Sequence, residues 1–217
     1  MILFCGDPHG EFGHIIQCVQ RERPAAVIIL GDLCLSLGFE QTFSPILDLT
    51  SIWFIHGNHD TDDMCYYDHL FSCPERNLHG RVVEIDGLKI AGLGGIFRRQ
   101  IWYPPEQPRC ITRQDFIAHC GKGNLWRNGL PRKHRSSIFP EDIQLFKGLN
   151  ADILVSHEAP HKHPHGFHVI DELSNSLGAK KIIHGHHHDA YSYESQSYFN
   201  VGFRSILKFQ SGHITTC

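Results

Sequence analysis

Short apolar runs that end at a glycine or a polar residue recur along the chain and predict buried strands. In the clearest of them, Ile28–Asp32, three apolar residues are followed by a glycine and then a carboxylate. Four further runs, each followed by Asp, Asn or His side chains, are Ile2–Gly6, Ile52–Ile55, Ile153–Val155 and Lys180–Ile183. Because open α/β sheets bind ligands beyond the carboxyl ends of their strands, we expect these polar side chains to meet at one edge.

The spacing of apolar residues between these runs predicts helices and one hairpin. Phe12, Ile15, Ile16 and Val19 fall at i, i+3, i+4 and i+7, which predicts a helix ending near Pro24. Further helices are predicted at Glu40–Leu49, Asp62–Phe71, Thr112–Cys120, Pro140–Leu149 and Val169–Leu177. A hairpin is predicted at Arg81–Ile85 and Leu88–Leu93, and short antiparallel tail strands at Ala190–Glu194, Ser197–Val201, Ser205–Phe209 and His213–Thr216. The opening βαβαβ order predicts an α/β fold whose sheet begins with parallel strands.

Length and charge distribution indicate one domain with an unusual segment. A chain of 217 residues with 41% hydrophobic content fits a single domain, 1–217. Residues 97–136 hold nine of the 20 Lys and Arg but only two of the 23 Asp and Glu. We therefore predict an irregular basic insertion or lid at about 98–136. It either faces a phosphate-rich partner or is a solvated loop.

The sequence predicts a reduced, cytoplasmic, soluble protein that does not associate with a membrane. The eight cysteines form no Cys-x-x-Cys pair, and several lie in apolar runs as buried free thiols do. No charged region followed by an apolar stretch opens the chain, as a signal peptide would. No apolar run reaches the roughly 18–20 residues that span a bilayer.

The chemistry of the strand ends indicates a metal site. Eighteen histidines are present, and histidine is the commonest side-chain metal ligand. In an extended segment residues i and i+2 point the same way, so Asp7 and His9 are expected to face one ion, as are His186 and His188. The candidate ligands are Asp7, His9, Asp32, Asn58, His157, His186 and His188. Seven mixed N and O donors suit two transition-metal ions (Mn, Fe, Zn, Co or Ni) sharing one bridging carboxylate.

The strand-end motifs resemble those of the calcineurin-like metallophosphoesterases, in the same order, from Ile2 to about Asp189. They are Asp7-x-His9, Gly31-Asp32, Gly57-Asn58-His59-Asp60, Ser156-His157 and Gly185-His186-x-His188. The resemblance implies a four-layer sandwich of two mixed β-sheets flanked by helices. It also implies two divalent ions, with Mn²⁺ favoured, and attack on the phosphate ester by a metal-bridging hydroxide.

The resemblance also assigns roles to individual residues. Asp7, His9 and His188 would hold the first ion, and Asn58, His157 and His186 the second. Asp32 would bridge the two ions. Asn58 and His59 would contact the phosphoryl group, where His59 would stabilise charge or protonate the leaving oxygen.

Two features favour a phosphodiester as the substrate. The residues after Asp32 contain no Asp-Arg-Gly of the protein Ser/Thr phosphatases, and the chain carries a Gly-His-x-His motif that those enzymes lack. Segments Lys89–Phe97 and Asp152–Pro160 also resemble RNA lariat debranching enzymes, although those usually have cysteine in place of Asp7 and a longer C-terminal region. A nucleotide or nucleic acid is therefore a candidate substrate. The alternatives are a phosphomonoesterase or phosphoprotein phosphatase, and a metal-binding scaffold without catalysis.

Several residues near these motifs have two interpretations each. Arg98 and Arg99 would grip a substrate phosphate or lie free on the surface. Cys34 would pack beside the site or bind a metal as a thiolate. The histidines at 161, 163, 165 and 168 would either form a polar loop or supply extra metal ligands. The aromatic residues at 102, 103 and 126 would either stack on nucleic-acid bases or pack within the protein.

Overall fold

The computed structural model describes residues 1–189, 193 and 197–217. Within them the strands are β1 (Ile2–Cys5), β2 (Ala26–Ile29), β3 (Ser51–Phe54), β4 (Arg81–Ile85), β5 (Leu88–Leu93), β6 (Ile153–Ser156), β7 (Lys181–His184), β8 (Tyr198–Asn200), β9 (Ile206–Gln210) and β10 (His213–Thr216). The α-helices are α1 (Gly13–Glu22), α2 (Phe39–Phe43), α3 (Met64–Phe71), α4 (Arg113–His119), α5 (Pro140–Gln144) and α6 (His168–Leu177). Single 3₁₀ turns lie at His59–Thr61, Pro74–Arg76, Lys122–Asn124 and Arg132–Ser136.

The strands form two mixed sheets of five strands each in the described part of the chain. The first has the order β10-β9-β1-β2-β3, in which β1, β2 and β3 are parallel and β9 and β10 are antiparallel. The second has the order β4-β5-β6-β7-β8, in which only the predicted β4–β5 hairpin is antiparallel. The parallel strands of each sheet all deliver their carboxyl ends to the same edge.

The alternation of side chains along each strand builds four layers. In β1, Leu3 and Cys5 pack with helices α1 and α2, while Ile2 and Phe4 pack against the second sheet. The outer face of the second sheet is covered by α5 and α6, where Leu173 and Leu177 pack on Leu154. The predicted α/β four-layer sandwich of two mixed sheets is therefore confirmed.

Two predicted helices are shorter than their apolar patterns suggested. The helix expected at Glu40–Leu49 ends at Phe43, because Pro45 has no N–H to continue the helical ladder. The Ser44 hydroxyl instead donates to the Gln41 carbonyl at 3.0 Å. The helix expected at Pro140–Leu149 ends at Gln144 and continues as turns to Gly148, whose φ of +77° is left-handed.

One predicted tail strand runs in the opposite sense to the expectation. The strand expected at Ser197–Val201 is β8, and it pairs parallel to β7 instead of antiparallel. Residue alternation indicates which side chains face the core, but it carries no information on strand direction. The strand predicted at Ala190–Glu194 falls largely outside the described residues, whereas β9 and β10 are antiparallel as predicted.

The basic segment at 98–136 carries a small apolar cluster and uses many of its arginines internally. Ile101 and Leu130 pack with Phe139 to form the cluster. Arg113 binds the carboxylates of Glu141 and Asp142. Arg127 binds the carboxylate of Asp68, and Arg135 binds the hydroxyl of Tyr67. Much of the positive charge therefore binds the segment to the rest of the fold.

Candidate metal centre

The loops that follow five parallel strand ends meet at one edge of the sandwich. The loops after β1 and β2 are joined by the His9 N–H, which donates to the Asp32 carbonyl at 2.9 Å. The loops after β6 and β7 are joined by the Gly185 N–H, which donates to the Ser156 carbonyl at 3.2 Å. All seven candidate ligands lie in one cluster at this edge, namely Asp7, His9, Asp32, Asn58, His157, His186 and His188.

Asp32 lies at the middle of this cluster. Its carboxylate belongs to two groups of possible ligands whose atoms lie within 4.8 Å of one another: one includes His9 and His188, the other His157 and His186. Asp32 Oδ2 is 3.7 Å from His9 Nε2 and 3.5 Å from His157 Nε2. The other oxygen, Oδ1, accepts the backbone N–H of His59 at 2.8 Å. One carboxylate oxygen therefore faces both groups at once.

Asp7 and Asn58 complete the two groups. Asp7 Oδ2 is 3.9 Å from His188 Nε2, and Asp7 Oδ1 is 3.7 Å from His157 Nδ1. His188 Nε2 is in turn 3.3 Å from His9 Nε2. Asn58 Oδ1 is 3.2 Å from His157 Nε2. Each of the two groups thus combines imidazole nitrogen with at least one oxygen donor, a set that suits divalent transition metals.

Unpaired buried oxygens test whether these residues fit metal ions. Asp7 is fully buried, yet neither of its carboxylate oxygens has a hydrogen-bond partner, and Asp32 Oδ2 also has none. Burying an ionised carboxylate without a partner costs several kcal/mol, which a bound cation offsets. His157 Nδ1 donates to the Leu30 carbonyl at 2.7 Å, so that Nε2 is left as the ligand atom. The residues present therefore fit divalent cations.

The charge distribution of the cluster leads to the same conclusion. Burial, assisted by Asp32, raises the pKa of Asp7 to about 7. Burial alone would lower the pKa of His157, but Asp32 and Asp7 together raise it to about 10. Burial and the neighbouring His157 lower the pKa of His186 to about 3. The two carboxylates thus create a field strong enough to hold a proton on a buried imidazole.

The backbone at the ligands is left-handed, so the extended geometry expected for the i, i+2 pairs is wrong. Asp7, His9 and His186 have φ values of 35°, 44° and 68°. Such values are uncommon for residues other than glycine and cost of order 1–3 kcal/mol each. The side chains converge because tight turns re-aim them, and strain of this kind is concentrated at functional sites.

Two glycines of the motifs leave space for ligand side chains. Gly31 has a φ of +105°, and a Cβ there would lie 2.3 Å from His157 Nδ1. A Cβ on Gly57 would lie 2.2 Å from Asp32 Oδ1. Any side chain at either position would therefore push a ligand out of place.

His59 lies beside the cluster without belonging to either ligand group. Its side chain is 46% exposed, and its ring centroid is 5.1 Å from that of His9. His59 Nδ1 lies 2.5 Å from Asp62 Oδ2. Asp62 therefore fixes the tautomer and orientation of the ring and leaves Nε2 free. No sequence pattern indicated this role for Asp62, although the residue lies just after the Gly57–Asp60 motif.

Asp60 is a second residue whose role the sequence analysis missed. Its buried carboxylate accepts the backbone N–H groups of Cys34 and Gly57, each at 2.8 Å. Burial and the charge of Asp32 raise its pKa to about 7. Asp60 therefore ties the loop that carries Asp32 to the loop that carries Asn58. The available signal was its position as the last residue of a motif rich in polar side chains.

Phe203 covers one side of the cluster, and no sequence pattern indicated it. Its ring centroid is 4.9 Å from that of His188 and 5.6 Å from that of His9, and the residue is 42% exposed. The neighbouring Arg204 Nε donates to the Pro8 carbonyl at 3.3 Å and holds this loop against the loop after β1. An apolar ring therefore packs beside two of the candidate imidazole ligands.

The two arginines proposed for phosphate binding lie in different surroundings. Arg98 lines a cavity of about 700 Å³ together with Asn58, Arg132 and Lys133. Its Nη1 donates to Ser136 and Ser137, and burial lowers its pKa to about 10. Arg99 instead pairs with Glu106 at 2.7 Å, and is absent from the cavity wall.

Packing favours one interpretation for each of Cys34, Trp102 and Trp126. Cys34 is buried with its Sγ 3.8 Å from His9 Nδ1, and burial raises the pKa of the thiol, which favours packing over a thiolate ligand. Trp102 packs against Phe97. The Trp126 ring already contacts the guanidinium groups at 127 and 135, at 4.3 and 4.8 Å from its centroid.

Comparisons with known proteins identify the family of the chain and agree with its fold. The model of the family described as calcineurin-like phosphoesterase matches residues 1–190. An uncharacterised protein of Haemophilus influenzae is 42% identical over 219 residues, covering 99% of this chain and 96% of the relative. The crystal structure of TT1561 of Thermus thermophilus matches with a TM-score of 0.63 at 15% identity, covering 100% of this chain and 97% of the other. A second crystal structure matches with a TM-score of 0.62 at 14% identity and the same coverage.

The chain belongs to the calcineurin-like phosphoesterases, as the motifs predicted. Membership of this family implies metal-dependent hydrolysis of phosphate esters. The two solved structures support the fold alone, because their sequence identity to this chain is low.

Proposed function

We propose that this protein is a dinuclear metal-dependent phosphodiesterase. The observation that carries the proposal is the carboxylate of Asp32, which two groups of possible metal ligands share. Asp32 bridges two ions in this proposal. Asp7, His9 and His188 hold one ion, and Asn58, His157 and His186 hold the other.

Two divalent cations bound here would acidify a bridging water and neutralise charge on the phosphoryl oxygens during in-line attack. The chain's own residues supply the remaining functions. The unpaired oxygens of Asp7 and Asp32 set the negative charge of the pocket, and Leu30 fixes the orientation of His157. The mixed N and O donors fit Mn, Fe, Zn, Co or Ni, of which we favour Mn²⁺.

His59 is the candidate catalytic residue that does not bind metal. Asp62 holds its Nδ1, so that Nε2 is free to contact a phosphoryl oxygen or to give a proton to the departing oxygen. Asn58 lies in the same loop and lines the adjoining cavity. Both residues therefore reach the position where a bound ester would react.

The cavity next to the cluster supports a diester in preference to a monoester. Its volume of about 700 Å³ exceeds the space that a single phosphoryl group needs. Arg98, Arg132 and Lys133 on its wall complement an anionic substrate. The second ester group of a phosphodiester, such as a nucleotide unit, would occupy this space. Contact of Arg99 with substrate stays a prediction.

A direct comparison of two aryl substrates tests the diester proposal. We expect the Mn²⁺-loaded protein to hydrolyse bis(p-nitrophenyl) phosphate with at least about tenfold higher kcat/KM than p-nitrophenyl phosphate, a difference of about 1.4 kcal/mol in transition-state binding. The reverse order would favour the phosphomonoesterase. Hydrolysis of neither substrate, with metal bound at full occupancy, would favour the non-catalytic scaffold.

The substitution Asp32→Asn tests the bridge. We expect the affinity for both ions to fall together, because the neutral amide removes a charge that both ions share. Equilibrium dialysis with metal analysis measures the two affinities, and His165→Ala provides a control on a nearby histidine outside both groups. Loss of only one ion would contradict a bridging role.

Location and partners follow as predictions from the same proposal. In the described ranges no helix combines the length and the apolar character needed to cross a bilayer. A cytoplasmic location and a nucleotide or nucleic-acid substrate stay predictions. Many arginines of the segment 98–136, Arg132 among them, donate hydrogen bonds within the fold. Lys133 on the cavity wall is therefore the basic residue best placed to meet such a substrate.

A further inference from the structure

A second cluster of metal-type ligands lies outside the centre described above. His161, His168 and Asp171 each offer one ligand atom, and these three atoms lie within 4.8 Å of one another. None of the three belongs to the seven residues of the dinuclear centre. His161 lies in the loop that follows His157, whereas His168 and Asp171 lie on the first turn of α6.

The contact between His161 and Asp171 places a ring nitrogen close to a carboxylate oxygen. His161 Nδ1 lies 2.8 Å from Asp171 Oδ1. Both atoms are inaccessible to solvent, and neither has a hydrogen-bond partner. Two atoms that bind one ion at about 2.1 Å lie about 3 Å apart in octahedral geometry and about 3.4 Å apart in tetrahedral geometry. The observed separation of 2.8 Å is closest to the octahedral value, which Co²⁺ and Ni²⁺ adopt.

The backbone holds this pair in place. The His161 N–H donates to Asp171 Oδ2 at 2.8 Å, so one carboxylate oxygen anchors the loop and the other faces the imidazole. Pro160 and Phe167 pair as a β-bridge that closes the loop. A Cβ on Gly166 would lie 1.8 Å from the Pro160 carbonyl, so the closure depends on glycine. Two of the three ligand atoms are thus preorganised.

The third ligand, His168, is exposed and can adjust. Its ring stacks on that of His161, with centroids 4.4 Å apart and planes at 15°. One of its ring nitrogens already lies within 4.8 Å of the ligand atoms of His161 and Asp171. A cavity of about 350 Å³ beside Asp171, lined also by Ser174 and Tyr198, gives an ion and its water ligands access.

We propose that His161, His168 and Asp171 form a third metal site, which binds one divalent ion of the zinc, cobalt or nickel class. Two imidazoles and one carboxylate are a donor set that these borderline ions prefer over calcium or magnesium. The bound ion would link α6 to the loop that begins at His157. It would therefore stabilise the segment that supplies a ligand to the dinuclear centre.

Ion counting in two backgrounds tests the site independently of the proposed function. With Co²⁺ as the probe, we expect His168→Ala to bind one ion fewer than the unmodified protein. His168 is exposed, so this substitution leaves the fold intact. In the Asp32→Asn background, which weakens the dinuclear centre, we expect one tightly bound Co²⁺ to remain. Its affinity should fall at least about 10–100-fold when His168→Ala is added.

A matched control and a spectroscopic readout make the outcome decisive. His165→Ala changes a neighbouring histidine of the same loop and should leave the ion count unchanged. The visible d–d absorption of Co²⁺ in the Asp32→Asn protein should disappear with His168→Ala and persist with His165→Ala. The site would be refuted if His168→Ala matched His165→Ala in ion count and spectrum, since the cluster would then be only an ion pair between His161 and Asp171.

Discussion

At the scale of single residues, the centre is defined by carboxylate oxygens that are buried and unpaired. Asp7 and Asp32 hold three such oxygens among the described residues, and imidazole nitrogens surround them at 3.5 to 3.9 Å. Bound cations would offset the cost of burying these unpaired oxygens. The strand-end pattern predicted these residues from the sequence alone. The pairing of His59 with Asp62 could not be predicted, because it depends on the 3₁₀ turn at His59–Thr61.

The separation of His59 from both ligand groups leads to a prediction. His59→Ala should leave the bound metal unchanged and lower kcat by about 10²–10⁴-fold, because a general acid or charge-stabilising group is lost. Metal analysis and kcat on an aryl diester measure the two effects. Retained turnover in His59→Ala would remove His59 from the mechanism.

A milder change at the neighbouring residue gives the matched test. Asp62→Asn keeps the imidazole but replaces the carboxylate that orients it. We expect kcat to fall by roughly tenfold, less than in His59→Ala, with metal content unchanged. An effect on metal content in Asp62→Asn would show that Asp62 acts on the centre and not on His59.

At the scale of elements, the strand ends could be read from the sequence, whereas several helix ends and one strand direction could not. A short apolar run marks where a strand stops, and the glycine that follows marks a turn. Helix α2 ends before Pro45 because proline has no N–H, whereas the apolar spacing continues past this residue. The parallel direction of β8 relative to β7 is a property of the sheet topology, which the alternation of side chains does not encode.

One buried carboxylate joins several of these elements and predicts a pH effect. Asp142 is 1% exposed; it accepts from Arg113 at 2.7 Å and from the Phe139 N–H at 2.8 Å. Burial would raise the pKa of Asp142, but His79 and Arg113 hold it below its usual range. Its stabilising contribution is therefore full above the unfolded-state pKa of about 3.9 and decreases as pH falls below it.

The variant Asp142→Asn measures this contribution. At pH 7 we expect it to lower the free energy of unfolding by about 2–4 kcal/mol, since it leaves Arg113 without its buried partner. Between pH 5 and pH 3 the difference from the unmodified protein should shrink by about 1 kcal/mol. Urea unfolding at each pH gives the values, with the exposed Asp48→Asn as control. A difference that does not vary with pH would contradict a charge-based role.

At the scale of the whole molecule, two sheets bring five loops together, and the segment 98–136 adds a basic wall beside them. Motif order predicted the family and the four-layer fold. The interactions of the basic side chains could not be predicted, because residue counts do not show which arginines form ion pairs within the fold. Arg127 pairs with Asp68 and Arg113 with Glu141, whereas Lys133 lines the cavity beside Asn58.

Substitution of Lys133 therefore tests whether the cavity binds the substrate. We expect Lys133→Ala to raise KM for an aryl diester about twofold to fivefold with little change in kcat, since one exposed charge contact is worth up to about 1 kcal/mol. The effect should weaken at high salt. Lys147→Ala, at an exposed lysine absent from the cavity wall, is the control. Equal KM values in the two variants would exclude this wall from substrate binding.

The positions of metal ions around Asp32 test whether the centre is dinuclear. Anomalous scattering from a crystal soaked in Mn²⁺ should give two peaks about 3.5–4 Å apart, with Asp32 bound to both ions. One peak should lie against His9 and His188, and the other against His157 and His186. A single peak in this cluster, or two peaks of which only one contacts Asp32, would contradict the dinuclear centre.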